Sequence, residues 1–392
     1  MAYEEPAEGD RSSIRAIVYC LAIFAGSRAV LELIGVGSRV FIRQATAPGS
    51  GPGRYSPNNW LDIWGAWDTG WFLSVIERGY DAAASTAPLT AGQANWPFYP
   101  LYPLLSKYLG LATGLDPFQA MVLVANIAFA AALPLIWHEV RHHYGARAAD
   151  IAVAAFAFVP GSYVFSSAYS ESQFLVLVVV TLALARREYW LWAGLMAALA
   201  TLTRNVGVLL AIPIAVYAWQ SLGGWRDRHV LSVRRFRILV AMALPAVALA
   251  GYMAFLWRHT GDPLAFMTVQ SAWKRELQNP IVTLIGPFLI GGRVQAEIVP
   301  SIFMSWVSVW LTVLLFMRRN WAHAWFMAAV VTITLASGIL SYFRLFLTMA
   351  PGIMVAGAFF APRPRAWTVI VGLLAAANGF MMACWSLGIG IY

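Results

Sequence analysis

Apolar runs of close to twenty residues recur along the whole chain, and short segments between them carry most of its arginines. A run of that length matches the hydrocarbon thickness of a bilayer. Inside hydrocarbon the backbone must satisfy its own polar groups, so each run is read as a helix. The spans expected on this basis lie near 15–37, 117–137, 149–166, 172–186, 189–204, 206–222, 237–257, 299–317, 321–340, 345–361 and 367–390, about eleven in all. Composition agrees: 60% of residues are hydrophobic and 11% charged, against about 25% charged in soluble domains. A soluble globule and a disordered chain are both excluded. An outer-membrane barrel would need short alternating strands instead of long continuous runs. The fold class expected is an all-α polytopic membrane protein, a single integral membrane domain over 1–392.

The formal charge of +9 is accounted for by the positive-inside bias of membrane proteins. With the N-terminus cytoplasmic, the inner segments hold fifteen arginines, among them Arg141, Arg186, Arg235 and Arg318, and the short outer ones hold six Arg or Lys. That asymmetry favours this orientation. Nucleic acid is not an expected partner. Met1–Asp10 is acidic where a secretory signal would be basic, so the first span reads as a retained signal-anchor. The two cysteines, Cys20 and Cys384, cannot build a disulfide framework or a metal quartet. No dinucleotide fingerprint or P-loop is present, so a nucleotide site has no support.

Two stretches are not spans: 37–116, which opens on the Pro/Gly-rich linker 47–53, and 258–300. Both are expected outside the cell. In the first, a helix through Trp64, Trp67, Trp71, Phe72 and Val75 would gather these residues on one face, as in a helix lying in the membrane interface. Asp68 would sit in that stripe, partly desolvated, with a raised pKa unless a cation is near. It is therefore a candidate acid–base group; equally, it could cap a second short helix and face water. Asp62, Glu77 and Asp81 read as solvated surface. Prolines 97, 100 and 103 restrict Trp96, Tyr99 and Tyr102 to non-helical backbone. The result is a stiff, extended aromatic segment, either a wall for a sugar or isoprenoid or a tether to the membrane.

A third stretch, Ser166–Ser172, joins two spans and contains Tyr169 and a single acid, Glu171. Glu171 would be favoured there by a helix N-terminus with or without a functional role. Arg204 and Arg344 lie at the outer edges of spans, where ionisable residues commonly serve a site, and a guanidinium suits phosphate. Lys274 and Arg275 fit phosphate or lipid headgroups. Arg28 and Glu32, one turn apart in the first span, read as an intramembrane ion pair. His138 and His142 share a helix face that could hold a metal, but a juxtamembrane basic patch is the simpler reading.

Taken together, Trp67-Asp68, Arg78-Gly79-Tyr80, Pro97 to Leu104, Ser167 to Ser172 and Leu202-Thr203-Arg204 resemble the PIG-V-type mannosyltransferases and their bacterial relatives. The likeness spans roughly 15–220 and is weaker at Gly261-Asp262-Pro263, Trp273 and 341–351. It implies a GT-C glycosyltransferase fold, with the site on the extracytoplasmic face and the catalytic acid, Asp68, in the first outer loop. It implies a polyprenyl-phosphate sugar as donor, and mannose as that sugar. The acceptor would be a hydroxyl on a lipid-linked or surface glycan. Arg204 and Arg344 would bind the donor phosphate, and Trp67, Trp71, Tyr99, Tyr102, Tyr169 and Glu171 would shape the substrate pocket. No cofactor is assigned; the resemblance leaves a divalent cation beside Asp68 open, although only scattered carboxylates and no metal-ligand spacing are seen. The competing class is a lipid-linked-sugar transporter without bond chemistry.

Overall fold

A computed structural model describes residues 9–42, 55–88, 90–223, 233–273, 275–289, 298–340 and 342–390. The linker 47–53 and Lys274 lie outside the described residues, which are helical throughout apart from turns and loops. Helix α1 (Gly9–Gly37) runs into a π-turn at Ser38–Ile42. The first loop carries α2 (Asn59–Asp62), α3 (Asp68–Arg78) and α4 (Leu101–Thr113). A bundle follows: α5 (Pro117–Tyr144), α6 (Ala146–Phe158), α7 (Glu171–Arg186), α8 (Trp190–Thr201), α9 (Ala211–Ser221) and α10 (Val233–Thr260). The second loop holds α11 (Ala265–Thr268) and α12 (Pro280–Leu289). The chain closes with α13 (Val299–Met317), α14 (Trp321–Ala336), α15 (Tyr342–Leu347), α16 (Ala350–Phe360) and α17 (Pro364–Leu387).

A helix stands at every expected span, and among the described residues 5 helices are long and apolar enough to cross a bilayer, making this a multi-pass membrane protein. Others are shorter than the sequence reading. The run 149–166 is helical only to Phe158, because Pro160 and Gly161 turn the chain into a short 3-10 segment, Ser162–Phe165. The run 345–361 is likewise split between α15 and α16. Helix α5 has a well-defined start, with Asp116 and Gln119 forming a capping box and Pro117 in the first turn. It packs against α6 and α7 at the centre of the bundle, and α8 packs on α10. The α8–α10 crossing is close because Gly194 faces Ala241, whose Cα would lie 2.5 Å from any Cβ added there.

The Arg28–Glu32 pair of the sequence reading does not form. Arg28 instead donates to the carbonyls of Ser162 and Ala157, at 2.7 and 2.9 Å, and to the Ser162 hydroxyl at 2.8 Å. It thereby satisfies carbonyls left over where α6 ends inside the protein. Glu32 accepts from Trp64 Nε1 at 2.9 Å. Asp62 is also not surface: it is 1% exposed, bound to Arg39 at 2.6 Å and to the backbone amides of Tyr55 and Ser56. Arg28 and Glu32 take partners from distant segments, and Asp62 joins the nearby amides of Tyr55 and Ser56 to Arg39, 23 residues away.

At the opposite end of α5 from the loops, Glu139, His143 and His323 bring ligand-type atoms within 4.8 Å of one another. Arg186 takes both Glu139 oxygens, at 2.8 and 3.0 Å. The two ring nitrogens of His323 lie against Asn320 and Tyr217. These groups satisfy one another and cross-link α5, α7, α9 and α14. His142, half of the sequence-based metal pair, is exposed and outside the cluster.

Candidate active site

Helix α3 begins at Asp68, so Trp64 and Trp67 precede it and do not share its face. The turn before it is shaped by Gly65, where a Cβ would stand 2.7 Å from the Phe118 ring of α5. Trp64, Phe72 and Val75 are buried, at 5%, 5% and 8% exposure, so this stripe packs on protein instead of lying in the membrane interface. The apolar stripe that does face outward is on α4, where Leu104, Leu105, Tyr108 and Leu111 are all exposed. Trp67 holds φ at 37°, in the half of backbone space that bulky residues avoid. Its ring meets Trp385 edge-on at 4.9 Å. The Tyr169 hydroxyl holds the backbone on both sides, donating to the Ala66 carbonyl and accepting from the Asp68 amide, each at 3.1 Å. Asp68 is thus fixed in place by a residue from a different loop.

That second loop, between α6 and α7, is buried, and Ala168 N donates to the Trp64 carbonyl at 2.9 Å, stitching the two together. It delivers Glu171, the first residue of α7 and fully buried. Glu171 Oε1 lies 2.8 Å from Arg204 Nη1 and 3.3 Å from Arg344 Nε. Arg344, on α15, reaches Asp68 Oδ2 with Nη1 at 2.5 Å, and its guanidinium lies 5.1 Å from the centre of the Tyr169 ring. Asp68, Arg344, Glu171 and Arg204 therefore form one alternating row of charges. Burial alone would lower the Arg344 pKa; Asp68 and Glu171 outweigh it and hold the guanidinium above its usual value.

The row opens on a cavity of about 610 Å³, within the range of small-molecule sites. Phe98, Tyr99, Phe266 and Trp273 form an aromatic side, and Val330, Ile333 and Leu345 an apolar one. Arg275 also lines it, half-buried; burial first, and Arg344 second, push its pKa down to about 10, which leaves it charged at neutral pH. Of the sequence-expected pocket residues, Asp68, Tyr99, Tyr169, Glu171, Arg204 and Arg344 line the cavity. Trp67, Trp71 and Tyr102 do not. Trp71 stands behind Phe98 and Trp273, at ring distances of 6.0 and 5.7 Å. Tyr102 is fully buried and donates to the Met121 carbonyl at 2.8 Å.

The proline segment is bent where the sequence reading has it extended. Phe98 N donates to the Asn95 carbonyl at 3.1 Å, closing a turn, and Asn95 is buried in bonds to Ser74, Gly79 and Asp81. The sequence reading missed Phe266, Thr348 and the apolar side of the cavity, whose residues carry no signal apart from hydropathy. Arg344 already occupies Oδ2 of Asp68 and Glu171 lies between two guanidiniums, so neither carboxylate is free to ligate a cation as placed; the exposed Glu276 also lines the cavity.

A family model described as dolichyl-phosphate-mannose-protein mannosyltransferase matches residues 100–252. The matched segment includes Tyr102, Tyr169, Glu171 and Arg204 and leaves out Asp68 and Arg344. No curated protein matches the chain in sequence. Among solved structures, ArnT from Cupriavidus metallidurans bound to undecaprenyl phosphate is similar at a TM-score of 0.49 and 14% identity, covering 94% of this chain and 76% of that one. The Archaeoglobus fulgidus oligosaccharyltransferase AglB, in complex with an inhibitory peptide and a dolichol-phosphate, is similar at 0.44 and 14%, covering 94% and 56%. The same enzyme tethered to an acceptor peptide gives 0.45 and 13%, again covering 94% and 56%. This chain spans about half the length of that oligosaccharyltransferase.

Proposed function

We propose that this chain is a membrane glycosyltransferase of the GT-C type. It moves a sugar, mannose on the family likeness, from a polyprenyl-phosphate donor to a hydroxyl on a lipid-linked or surface glycan. The site faces the extracytoplasmic side and the N-terminus the cytoplasm. The observation that carries the reading is a cavity of sugar size in which the reachable carboxylate of Asp68 stands beside fixed guanidiniums. An alcohol is a weak nucleophile and benefits from a base within hydrogen-bond reach. Asp68, whose side chain is 27% exposed, is the acid placed to accept that proton; Glu171 is fully buried against Arg204 and Arg344.

As the acceptor oxygen bonds to the anomeric carbon, the bond from that carbon to the phosphate oxygen breaks on the opposite face, inverting the centre. The bonding electrons leave with the phosphate. No acid is needed to protonate it, unlike the sugar oxygen released in glycoside hydrolysis. Guanidiniums held in a site of low dielectric stabilise the charge that develops there. In this scheme the donor phosphate draws Arg344 away from Asp68, which frees the carboxylate for the acceptor.

Proteoliposomes given labelled polyprenyl-phosphate mannose and an extract of acceptor lipids test the scheme. New glycan is the expected result. The Asp68→Asn protein should lose at least about a hundredfold in rate while still binding donor. Wild-type protein that carries the lipid across the bilayer without forming product would make it a transporter, and an active Asn variant would remove Asp68 from the chemistry.

A further inference from the structure

The scheme above gives Glu171 no step, yet this carboxylate is the most completely enclosed charge in the row. Its residue is 0% exposed, and no solvent can compensate it. Neither of its oxygens has a guanidinium N–H in line for a hydrogen bond, despite the 2.8 and 3.3 Å approaches. A buried carboxylate held so loosely is costly to keep, since optimal burial of a charge requires well-aligned partners. The contacts also occupy only part of each arginine. Glu171 faces Nη1 of Arg204 and Nε of Arg344. Among the described residues, Arg204 Nε and Nη2 and Arg344 Nη2 make no hydrogen bond or ion pair with the protein. Two like charges are thus drawn to a shared, fully buried anion, and their unclaimed donors remain on a cavity that both side chains line.

We infer that Glu171 is a positioning residue, which binds Arg204 and Arg344 into a single clamp for the phosphate of the lipid-linked donor. The inference rests on the proposed transferase reading and adds a division of labour between the two acids: Asp68 meets the acceptor, Glu171 never touches substrate. Without its charge, the arginines would repel one another. Arg344 would pair with Asp68 alone and Arg204 would turn to solvent, so the clamp would open.

This has a sign that a simple field argument does not share. Removing a negative charge from beside an anion site should tighten anion binding if charge alone mattered. Loss of positioning should weaken it. The probe is undecaprenyl phosphate, titrated calorimetrically into the purified full-length protein in nanodiscs. Glu171→Gln keeps the shape and removes the charge. Its affinity should fall by about tenfold or more, the scale of a lost charged hydrogen bond, with donor KM rising by a similar factor and kcat changing less. Glu171→Asp, which restores the charge on a shorter stem, should recover part of the loss.

Arg204→Gln should cost much less affinity when combined with Glu171→Gln than in wild type, because the clamp is already open. Wild-type or tighter binding by a folded Glu171→Gln protein overturns the inference. If that variant does not fold, Arg204→Gln decides: wild-type affinity for undecaprenyl phosphate in that protein would equally overturn the clamp. Wild-type protein that neither binds the lipid phosphate nor transfers sugar would instead remove the transferase reading, and this inference with it.

Discussion

Asp68 is aimed by its surroundings more than by its own helix. The backbone on either side of Trp67 is held by one hydroxyl, that of Tyr169, whose ring also lies under Arg344. A bulky residue at positive φ costs about 1–3 kcal/mol, and the Tyr169 brace, with the bonds between Ala66 and Thr69, offsets that cost. Tyr169→Phe keeps the ring and removes the brace, leaving the part-buried Asp68 amide without its partner while the Ala66 carbonyl keeps only the Thr69 amide. Stability in denaturant should fall by about 2 kcal/mol. The transfer rate should fall by about tenfold beyond the loss of folded protein. A Phe variant with wild-type rate per folded molecule would show that Asp68 does not depend on the brace. The same sequence position illustrates a limit of local reading: about a hundred residues separate Tyr169 from the amide it holds, so nothing near Asp68 announces it.

At the scale of elements, α4 and the cluster at the far end of α5 have opposite roles. Helix α4 exposes Leu104, Leu105, Tyr108 and Leu111 at helical spacing, an apolar stripe with protein on its other side. It is the element expected to rest in the headgroup region. A spin label at Leu111→Cys should be far more accessible to oxygen than to a water-soluble nickel chelate; the reverse ratio would place α4 in water. Both native cysteines are buried and should not interfere. The Glu139 cluster has no such outward face. Glu139 is 1% exposed and is the anion on which Arg186 and His143 converge. Glu139→Ala would leave Arg186 without its counter-charge, and stability should drop by about 3 kcal/mol. Turnover per folded molecule should stay near normal, because the cluster is remote from the cavity. A large loss of turnover with little loss of stability would give it a functional part instead.

For the whole molecule the decisive quantity is which loops face out. The arginine asymmetry predicts that 37–116 and 258–300 are extracytoplasmic. Ala87→Cys, exposed in the first loop, should then react with an impermeant maleimide added to intact cells, and Arg318→Cys, exposed between α13 and α14, only after permeabilisation. The opposite pattern would turn the molecule over and put the cavity in the cytoplasm, where a lipid donor flipped outward could not reach it.

Hydropathy and charge alone determined the class of protein and the approximate intervals of its spans, because these depend on the composition of contiguous stretches and on their length against a bilayer. The residue types suited to phosphate and to proton transfer were legible for the same reason: Arg204, Arg344 and Asp68 are conspicuous in an apolar chain. What only the tertiary structure decided is which of them meet. Arg344 reaches Asp68 across 276 residues, and Arg204 and Arg344 converge on Glu171. Glu32 goes to Trp64 while Arg28 goes to carbonyls, and Asp62 and Tyr102 turn into the interior. A buried charge or hydroxyl takes whichever partner the packing of distant helices brings within about 3 Å, and that distance is a property of the assembled bundle, not of any stretch of sequence within it.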